Sequence, residues 1–467
     1  MDFKTKRLRV EELDAEVEQL QRKAEDLLKQ VETVRHAIRE NRRERVTCTP
    51  LHSLPDDVLK LILEAAYEHD LGAPCPETRA LEITHVSRRL RQFSLSLPRL
   101  WRCIHVEQSK PLLEQALLRS ATLPLYVSCI GKDLSETANQ SDKDVPLQHA
   151  PWAPRYLRQL EYALQQAPRI EYLMLDTTIV AFFEGALNCI RRRTFPLLKT
   201  LEVHFVPTTL ALNPTAVFHL PSCPALGTLC VSAVPIVFKN PSFARLEKVD
   251  INCLDVYASE LHDLAAAAPT LDSLYLDEVH IIADTDHTIR FPTLNYLAVG
   301  NIHNIPSVQL DRFDIPALES LYVFSSTEPE RPGALDSGGP RPFTAVHTLS
   351  FRDVETPAAT PHASDLLRYA PNATVLELLQ TSKATSLLDQ LAAADPPPLP
   401  ALEMLVVTGL EKEKHEILLR VVQHRIKHEI PLKEMQLGAD ILHCVDGELQ
   451  KALEEHVTIT TASDDDE

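Results

Sequence analysis

Pro292-Thr293-Leu294-Asn295-Tyr296-Leu297-Ala298-Val299 is one copy of a unit that recurs through most of the chain. The unit is P-x-L-x-x-L-x-L/V. Other copies are Pro168-Arg169-Ile170-Glu171-Tyr172-Leu173-Met174-Leu175, Pro196 to Val203, Pro224 to Val231, Pro269 to Leu276, Pro316 to Val323, Pro371 to Leu378 and Pro400 to Val407. Pro431 to Leu437 is one residue shorter, and Leu246 to Ile251 and Val346 to Phe351 fit without the proline. First apolar positions fall at 170, 198, 226, 246, 271, 294, 318, 346, 373, 402 and 432, so copies lie 20 to 30 residues apart. Alternation sets both apolar residues of L-x-L on one face of a short strand. One such unit cannot bury that face alone, whereas stacked neighbours can.

Period and core resemble leucine-rich repeats. The resemblance implies an α/β fold: an irregular solenoid with a parallel, curved sheet. Helical returns are expected at 156–166, 259–268, 363–369, 385–394 and 411–427. The asparagine that such repeats carry three places after the last leucine is absent, with Thr178, Val234, Val279, Ile302 and Ser326 in its place. No side-chain asparagine ladder is therefore expected. A loop is expected over 325–342. The alternative is a conventional α/β domain whose strands share a pattern.

The residue inside each L-x-L points away from the core. That row comprises Met174, Glu202, Cys230, Asp250, Tyr275, Ala298, Tyr322, Ser350, Glu377, Val406 and Gln436. Met174, Glu202, Asp250, Tyr275, Tyr322, Glu377 and Gln436 are the candidate substrate contacts, with the two tyrosines foremost because aromatics dominate interface energies.

Upstream, Leu54-Pro55-Asp56-Asp57-Val58-Leu59-Lys60-Leu61-Ile62-Leu63 reads as a helix start. Pro55 suits the first turn, and two aspartates suit the positive end of the dipole. Leu54, Val58, Leu59, Ile62 and Leu63 form one apolar face. A second helix is expected from Leu81 to Leu95, stopped by Pro98, with Ile83, Val86, Leu90 and Phe93 on one side. A loop, 68–78, separates the two. Helices this short bury little by themselves, so the pair either packs on the rest of the chain or serves a partner.

L-P-D-D-V-L-x-x-I-L, then V-S-R-R-L-R at 86–91, then L-P-R-L-W at 97–101 resembles an F-box, in the long form of expanded fungal families. The resemblance implies docking on the S-phase-kinase-associated adaptor of cullin–RING ubiquitin ligases. Leu54, Pro55, Val58, Leu59, Ile62, Val86, Leu90 and Trp101 would face or support that adaptor.

Residues 8–45 carry Val10, Leu13, Val17, Leu20, Ala24, Leu27, Val31, Val34 and Ile38 alternately three and four apart, with no Gly or Pro. This is a coiled-coil pattern. The partner is a second copy, giving a parallel homodimer through 8–45, or another helix of the same chain. The expected domains are a coiled-coil helix over 1–46, the F-box over 50–106, the solenoid over 107–456 and a disordered acidic tail over 457–467. A further disordered loop is expected over 131–154.

The net charge of −19 argues against nucleic acid as the main ligand. No apolar run is long enough to span a membrane, and Met1 to Arg7 leads into charged sequence, so no secretory signal is expected. Nine scattered cysteines without a C-x-x-C pair suit free thiols in the cytosol or nucleus. Arg191-Arg192-Arg193 reads as a solvated helix end. There is no phosphate-binding glycine loop and no nucleophile elbow. His415-Glu416 lacks the second histidine of a zincin motif, since Leu419 stands there, and His424 with His428 lacks a third ligand. No catalytic residue, metal or cofactor is expected. The F-box resemblance implies a non-catalytic substrate receptor of a ubiquitin ligase that holds an unknown protein substrate. The other readings are a scaffold without any ligase role, and an enzyme with an unrecognised site.

Overall fold

The computed structural model describes residues 3–47, 54–69, 79–131, 152–205, 217–238, 243–282, 288–300, 312–324, 343–352, 367, 369–380, 384–445 and 447–462. The chain divides into two compact units: Met1–Trp101 with Arg119–Ala121, and Arg102–Leu118 with Thr122–Glu467. Among the described residues no helix is long and apolar enough to cross a membrane.

The first unit opens with α1, a 45-residue helix over Phe3–Thr47. Val17, Leu20, Leu27, Val31, Val34 and Ile38 are all exposed along it. α2 spans Asp56–His69, with both aspartates in its first turn. The single helix expected over 81–95 is instead two, α3 over Arg79–Val86 and α4 over Arg88–Ser96. Ser87 is the reason. Its backbone is extended (φ −158°, ψ 163°) and its Oγ accepts from the Leu90 N–H, which caps a new helix. A 3-10 turn follows over Pro98–Trp101. Leu59, Leu63, Leu90, Leu97, Leu100 and Trp101 are buried. Trp101 Nε1 donates to the Ser94 carbonyl at 2.7 Å. Arg89 bonds the Leu54 carbonyl at 2.7 Å and the Asp56 carboxylate, tying the start of α2 to α4.

In the second unit, eighteen described strands occur in chain order. They are β1 Cys103–His105, β2 Leu125–Gly131, β3 Ile170–Thr177, β4 Thr200–Phe205, β5 Phe218–His219, β6 Thr228–Ser232, β7 Ile236–Val237, β8 Lys248–Tyr257 and β9 Ser273–Ile282. Then come β10 Ile289–Arg290, β11 Tyr296–Gly300, β12 Phe313–Asp314, β13 Ser320–Phe324, β14 Thr348–Arg352, β15 Val375–Leu379, β16 Met404–Val407, β17 Glu434–Leu437 and β18 Thr458–Thr461. Fourteen form one parallel sheet, β1-β2-β3-β4-β6-β8-β9-β11-β13-β14-β15-β16-β17-β18, in strict chain order. Each of the eleven repeats supplies one strand, starting at or two residues after its first apolar position. β5 pairs with β7, and β10 with β12, in two-stranded side sheets.

The proline of the repeat has a local cause. The residue before it accepts a hydrogen bond from the first apolar residue, three places on: Leu226 to Cys223, Leu271 to Ala268, Leu318 to Ile315, Ala373 to Ala370 and Leu402 to Leu399. Proline therefore sits second in a tight turn, where its fixed φ fits. Leu246 to Phe243 and Val346 to Phe343 close the same turn without proline. The missing asparagine ladder is replaced by backbone. Single carbonyls accept two successive N–H groups from the next strand entrance: Glu247 from residues 272 and 273, Asp272 from 295 and 296, Asn295 from 319 and 320, Glu319 from 347 and 348, His347 from 374 and 375.

Helices form several of the connections between strands. They are α5 (Lys110–Arg119, whose last residue belongs to the first unit), α6 (Ala153–Ala163), α7 (Val180–Arg191), α8 (Ala258–Ala267), α9 (Ala384–Ala393), α10 (Glu416–Lys427), α11 (Ala439–Cys444) and α12 (Gly447–Glu454). α6 packs on α7, and α9 on α10. Arg425 of α10 is fully buried. It donates to the carbonyls of Leu399 and Leu402 at 3.2 and 2.9 Å.

Three expected boundaries move. β1 joins the sheet, so the span of 50–106 expected for an F-box runs past Trp101, where the first unit's continuous stretch ends. The 131–154 loop loses both ends, to β2 and to α6, whose first turn accepts Pro154. The tail expected over 457–467 begins later: β-branched Thr458-Ile459-Thr460-Thr461 pairs with β17 and ends the sheet. The expected 48–53 connector, the 70–78 part of the loop expected between the two helices, the expected 325–342 loop, most of the expected 363–369 return and residues 463–467 lie outside the described residues.

Candidate protein-binding surfaces

Two surfaces stand out, one in each unit. In the first, the eight residues singled out from the sequence separate into two groups. Leu59, Leu90 and Trp101 are internal and hold the helices together. Pro55, Val58, Ile62 and Val86 are exposed, and Leu54 is half-buried. Leu61, which the helical-spacing argument leaves unnamed, joins the exposed set at 65%. Val58, Leu61 and Ile62 follow helical spacing on α2, so they share one side of it. A helix with apolar residues on two sides has more than one thing to pack against.

In the second unit the row inside L-x-L is in continuous register. Met174 pairs Glu202, Glu202 pairs Cys230, Cys230 pairs Asp250, and Asp250 pairs Tyr275. Tyr275 pairs Ala298, then Tyr322, Ser350, Glu377, Val406 and Gln436 follow in step. Strand pairing thus brings all eleven sequence-named residues into one line. They are not equally open. Met174, Ala298, Ser350 and Val406 are buried, while the longer polar and aromatic members are half-buried.

The amino-terminal part of this face is ionic. Tyr172 donates to Glu202 at 2.8 Å, and His204 lies 3.7 Å from the same carboxylate. Burial pushes the Glu202 carboxyl up, but hydrogen bonds from His204 and Tyr172 outweigh it and hold the group below its ordinary range. Burial raises Asp250 against the pull of Lys248 and an Asn252 hydrogen bond. Between them, burial and the two carboxylates push the Cys230 thiol up to about 12. Lys248 sits over the Tyr275 ring, 4.4 Å from its centre.

The carboxy-terminal part is aromatic and hollow. Tyr275 and Tyr296 rings lie 5.1 Å apart, and Tyr322 and Phe324 rings 5.7 Å apart. Burial, then neighbouring Tyr275, Tyr322 and Glu377, raise the Tyr296 phenol. Beside them opens a groove of about 560 Å³, bordered by Tyr296, Tyr322, Arg352, Glu377 and Gln436, with Ser350 and Val406 among its lining. The buried Ser350 Oγ has no hydrogen-bond partner among the described residues.

Other candidates have ordinary partners. His415 Nε2 lies 3.1 Å from the Leu410 carbonyl, and His424 Nε2 lies 3.0 Å from that of Ala394. Arg191 ends α7. Among the described residues no group of three His, Cys, Asp or Glu is set to hold a metal ion.

No family model and no curated protein matches the chain. Among solved structures, a Bacteroides fragilis protein determined as a structural-genomics target matches with 17% identity and a TM-score of 0.31. The match covers 52% of this chain and 67% of that one. It assigns neither fold nor function here.

Proposed function

We propose that this chain is the substrate-recognition subunit of a cullin–RING ubiquitin ligase. In this reading residues 54–101 are an F-box that docks the S-phase-kinase-associated adaptor. The parallel sheet is a leucine-rich-repeat body whose outward face holds a protein substrate. The observation that carries the reading is the exposed apolar set Val58, Leu61, Ile62 and Val86, on helices that bear the L-P-D-D-V-L and V-S-R-R-L-R blocks. Such residues left in water are costly, at roughly 25 cal/mol per Å² of apolar surface, and a partner removes that cost. A receptor needs no catalytic group of its own, since it supplies proximity while other subunits carry the chemistry.

The test is capture of the purified adaptor by the full chain. Wild type is expected to retain it. Val58→Asp with Ile62→Asp is expected to lose at least about thirtyfold in affinity, the effect of about 2 kcal/mol at an interface anchor. Both residues are exposed, so folding is expected to survive. Failure of the wild type to capture the adaptor would sink the reading.

The exposed seam of α1 supports pairing with a second copy. Val10, Val17, Val31 and Ile38 take one heptad position and Leu13, Leu20 and Leu27 the other, the β-branched and leucine arrangement that favours parallel two-stranded coils. Sedimentation equilibrium is expected to give a dimer for the wild type and a monomer for Val31→Glu with Val34→Glu. A monomeric wild type at high concentration would refute the pairing.

A further inference from the structure

Along the outward row of the sheet, long and short residues alternate strand by strand. The order is Tyr322, Ser350, Glu377, Val406, Gln436 on β13 to β17. The long members are half-buried and stand up as ridges. Ser350 and Val406 are only 2% and 7% exposed, because each lies at the bottom of a slot between two ridges. Both slots open into the 560 Å³ groove.

The spacing is informative. Neighbouring strands lie about 4.8 Å apart, so two slots separated by one ridge are about 9.6 Å apart. A peptide crossing the strands must therefore place side chains on one side at that interval. A β-strand does not, since same-face residues repeat every two positions, about 6.8 Å. A polyproline II helix does: three residues per turn at about 3.1 Å each return a side chain to the same face every 9.3 Å or so.

The chemistry of the walls agrees. A polyproline II segment has no internal hydrogen bonds and carries its carbonyls outward. The groove is lined by polar side chains that can meet such carbonyls, Gln380 and Gln436 among them, the latter also donating to Glu434 at 3.0 Å. The Ser350 Oγ is buried at the floor of one slot without a hydrogen-bond partner among the described residues. Its charged lining residues are Arg352 and Glu377, one of each sign, so neither a strongly acidic nor a strongly basic peptide is favoured. Aromatic-lined grooves are a recurring way to hold proline-rich peptides.

We propose that the groove over β13 to β17 binds an uncharged, proline-rich segment in polyproline II conformation, running across the strands with side chains i and i+3 seated over Ser350 and Val406. The proposal deepens the receptor reading, because it names the class of substrate segment. It is testable apart from the adaptor.

The probe is a fluorescent dodecapeptide, acetyl-(Leu-Pro-Pro)4-amide, titrated by polarisation against the full chain. The control is acetyl-(Leu-Gly-Ser)4-amide, which has the same leucine spacing without the conformation. Saturable binding at least tenfold tighter for the proline peptide is expected, little changed between 0.1 and 0.5 M salt. Tyr322→Ala, which removes a ridge, and Ser350→Leu, which fills a slot, are each expected to weaken it at least tenfold. The exposed Leu118→Ser is expected to leave it unchanged. Thermal melting checks that each variant folds, and Tyr322→Ala alone suffices if Ser350→Leu does not fold. Equal binding of the two peptides, no saturable binding, a steep loss with salt, or full affinity in a folded Tyr322→Ala would each overturn the proposal. If adaptor capture fails while the peptide binds, only the receptor reading falls; the reverse result removes only the groove.

Discussion

The helices of residues 54–101 and the fourteen-stranded sheet treat their apolar residues differently. In the sheet both apolar residues of L-x-L go inside: Leu274, Leu297, Leu321, Leu349 and Leu376 are all 1% exposed or less. In the helices the core is equally closed around Leu59, Leu90 and Trp101, yet Leu61 and Val86 remain about two-thirds exposed. The sheet satisfies its own hydrophobic demand by stacking copies. The helical segment leaves apolar side chains in water, and that difference is what the proposed docking rests on.

The comparison can be broken at several depths. The largest effect belongs to the phenylalanines that open the repeat turns. Phe291 is 1% exposed and stacks on Phe313 with ring centres 6.3 Å apart. Phe291→Ala is expected to cost about 3–5 kcal/mol in chemical denaturation of the sheet. A loss under about 1 kcal/mol would mean that the body is not packed as described. Next is the helical segment's own integrity. Ser87→Ala removes the cap that starts α4 and is expected to cost about 1 kcal/mol. By contrast, Val58→Asp with Ile62→Asp is expected to change stability by no more than about 0.5 kcal/mol per site, as for ordinary surface positions. A cost like that of Phe291→Ala would show that those residues already belong to a core.

Smaller effects sharpen the outward face. Glu202 is held below its ordinary range in the folded chain, despite burial, by His204 and Tyr172. A depressed carboxylate stabilises the fold above its unfolded pKa, and that contribution disappears as pH falls through the lowered folded value. Glu202→Gln is therefore expected to flatten the acid limb of a stability–pH curve and to leave the alkaline limb unchanged. The smallest effect is kinetic. Although Cys253 is exposed as a residue, partial desolvation of its sulfur and then a hydrogen bond to Glu278 push the thiol up to about 12. Its alkylation at pH 8 is expected to be slow, because the thiolate is the reactive species. Glu278→Gln should speed it, and no change in rate would remove Glu278 from that explanation.

Much of this was legible in the sequence because strand alternation is a strict rule. Once Leu297 and Val299 are inward, Ala298 is outward, and the eleven-member row follows without coordinates. What was not legible depends on neighbours in space. That Ser350 and Val406 are sunk is decided by the length of Tyr322, Glu377 and Gln436 on adjoining strands. The break at Ser87 was missed because apolar periodicity runs through it, although a serine three residues before Leu90 is a fair cap signal. The acidic run after β18 dominates the local composition and hides the strand. The buried residues ahead of most repeat prolines, Phe195, Phe291 and Ile315 among them, are a readable signal of the turn.

In the proposed receptor the exposed apolar side of residues 54–101 is the face that docks the adaptor. Calorimetric titration of the purified adaptor into the full chain tests it most directly. Docking there predicts one adaptor per chain with a negative heat-capacity change from apolar burial, and at least thirtyfold weaker binding by a folded Val58→Asp with Ile62→Asp variant. No heat of binding to the wild type, or equal affinity in the double variant, would contradict it.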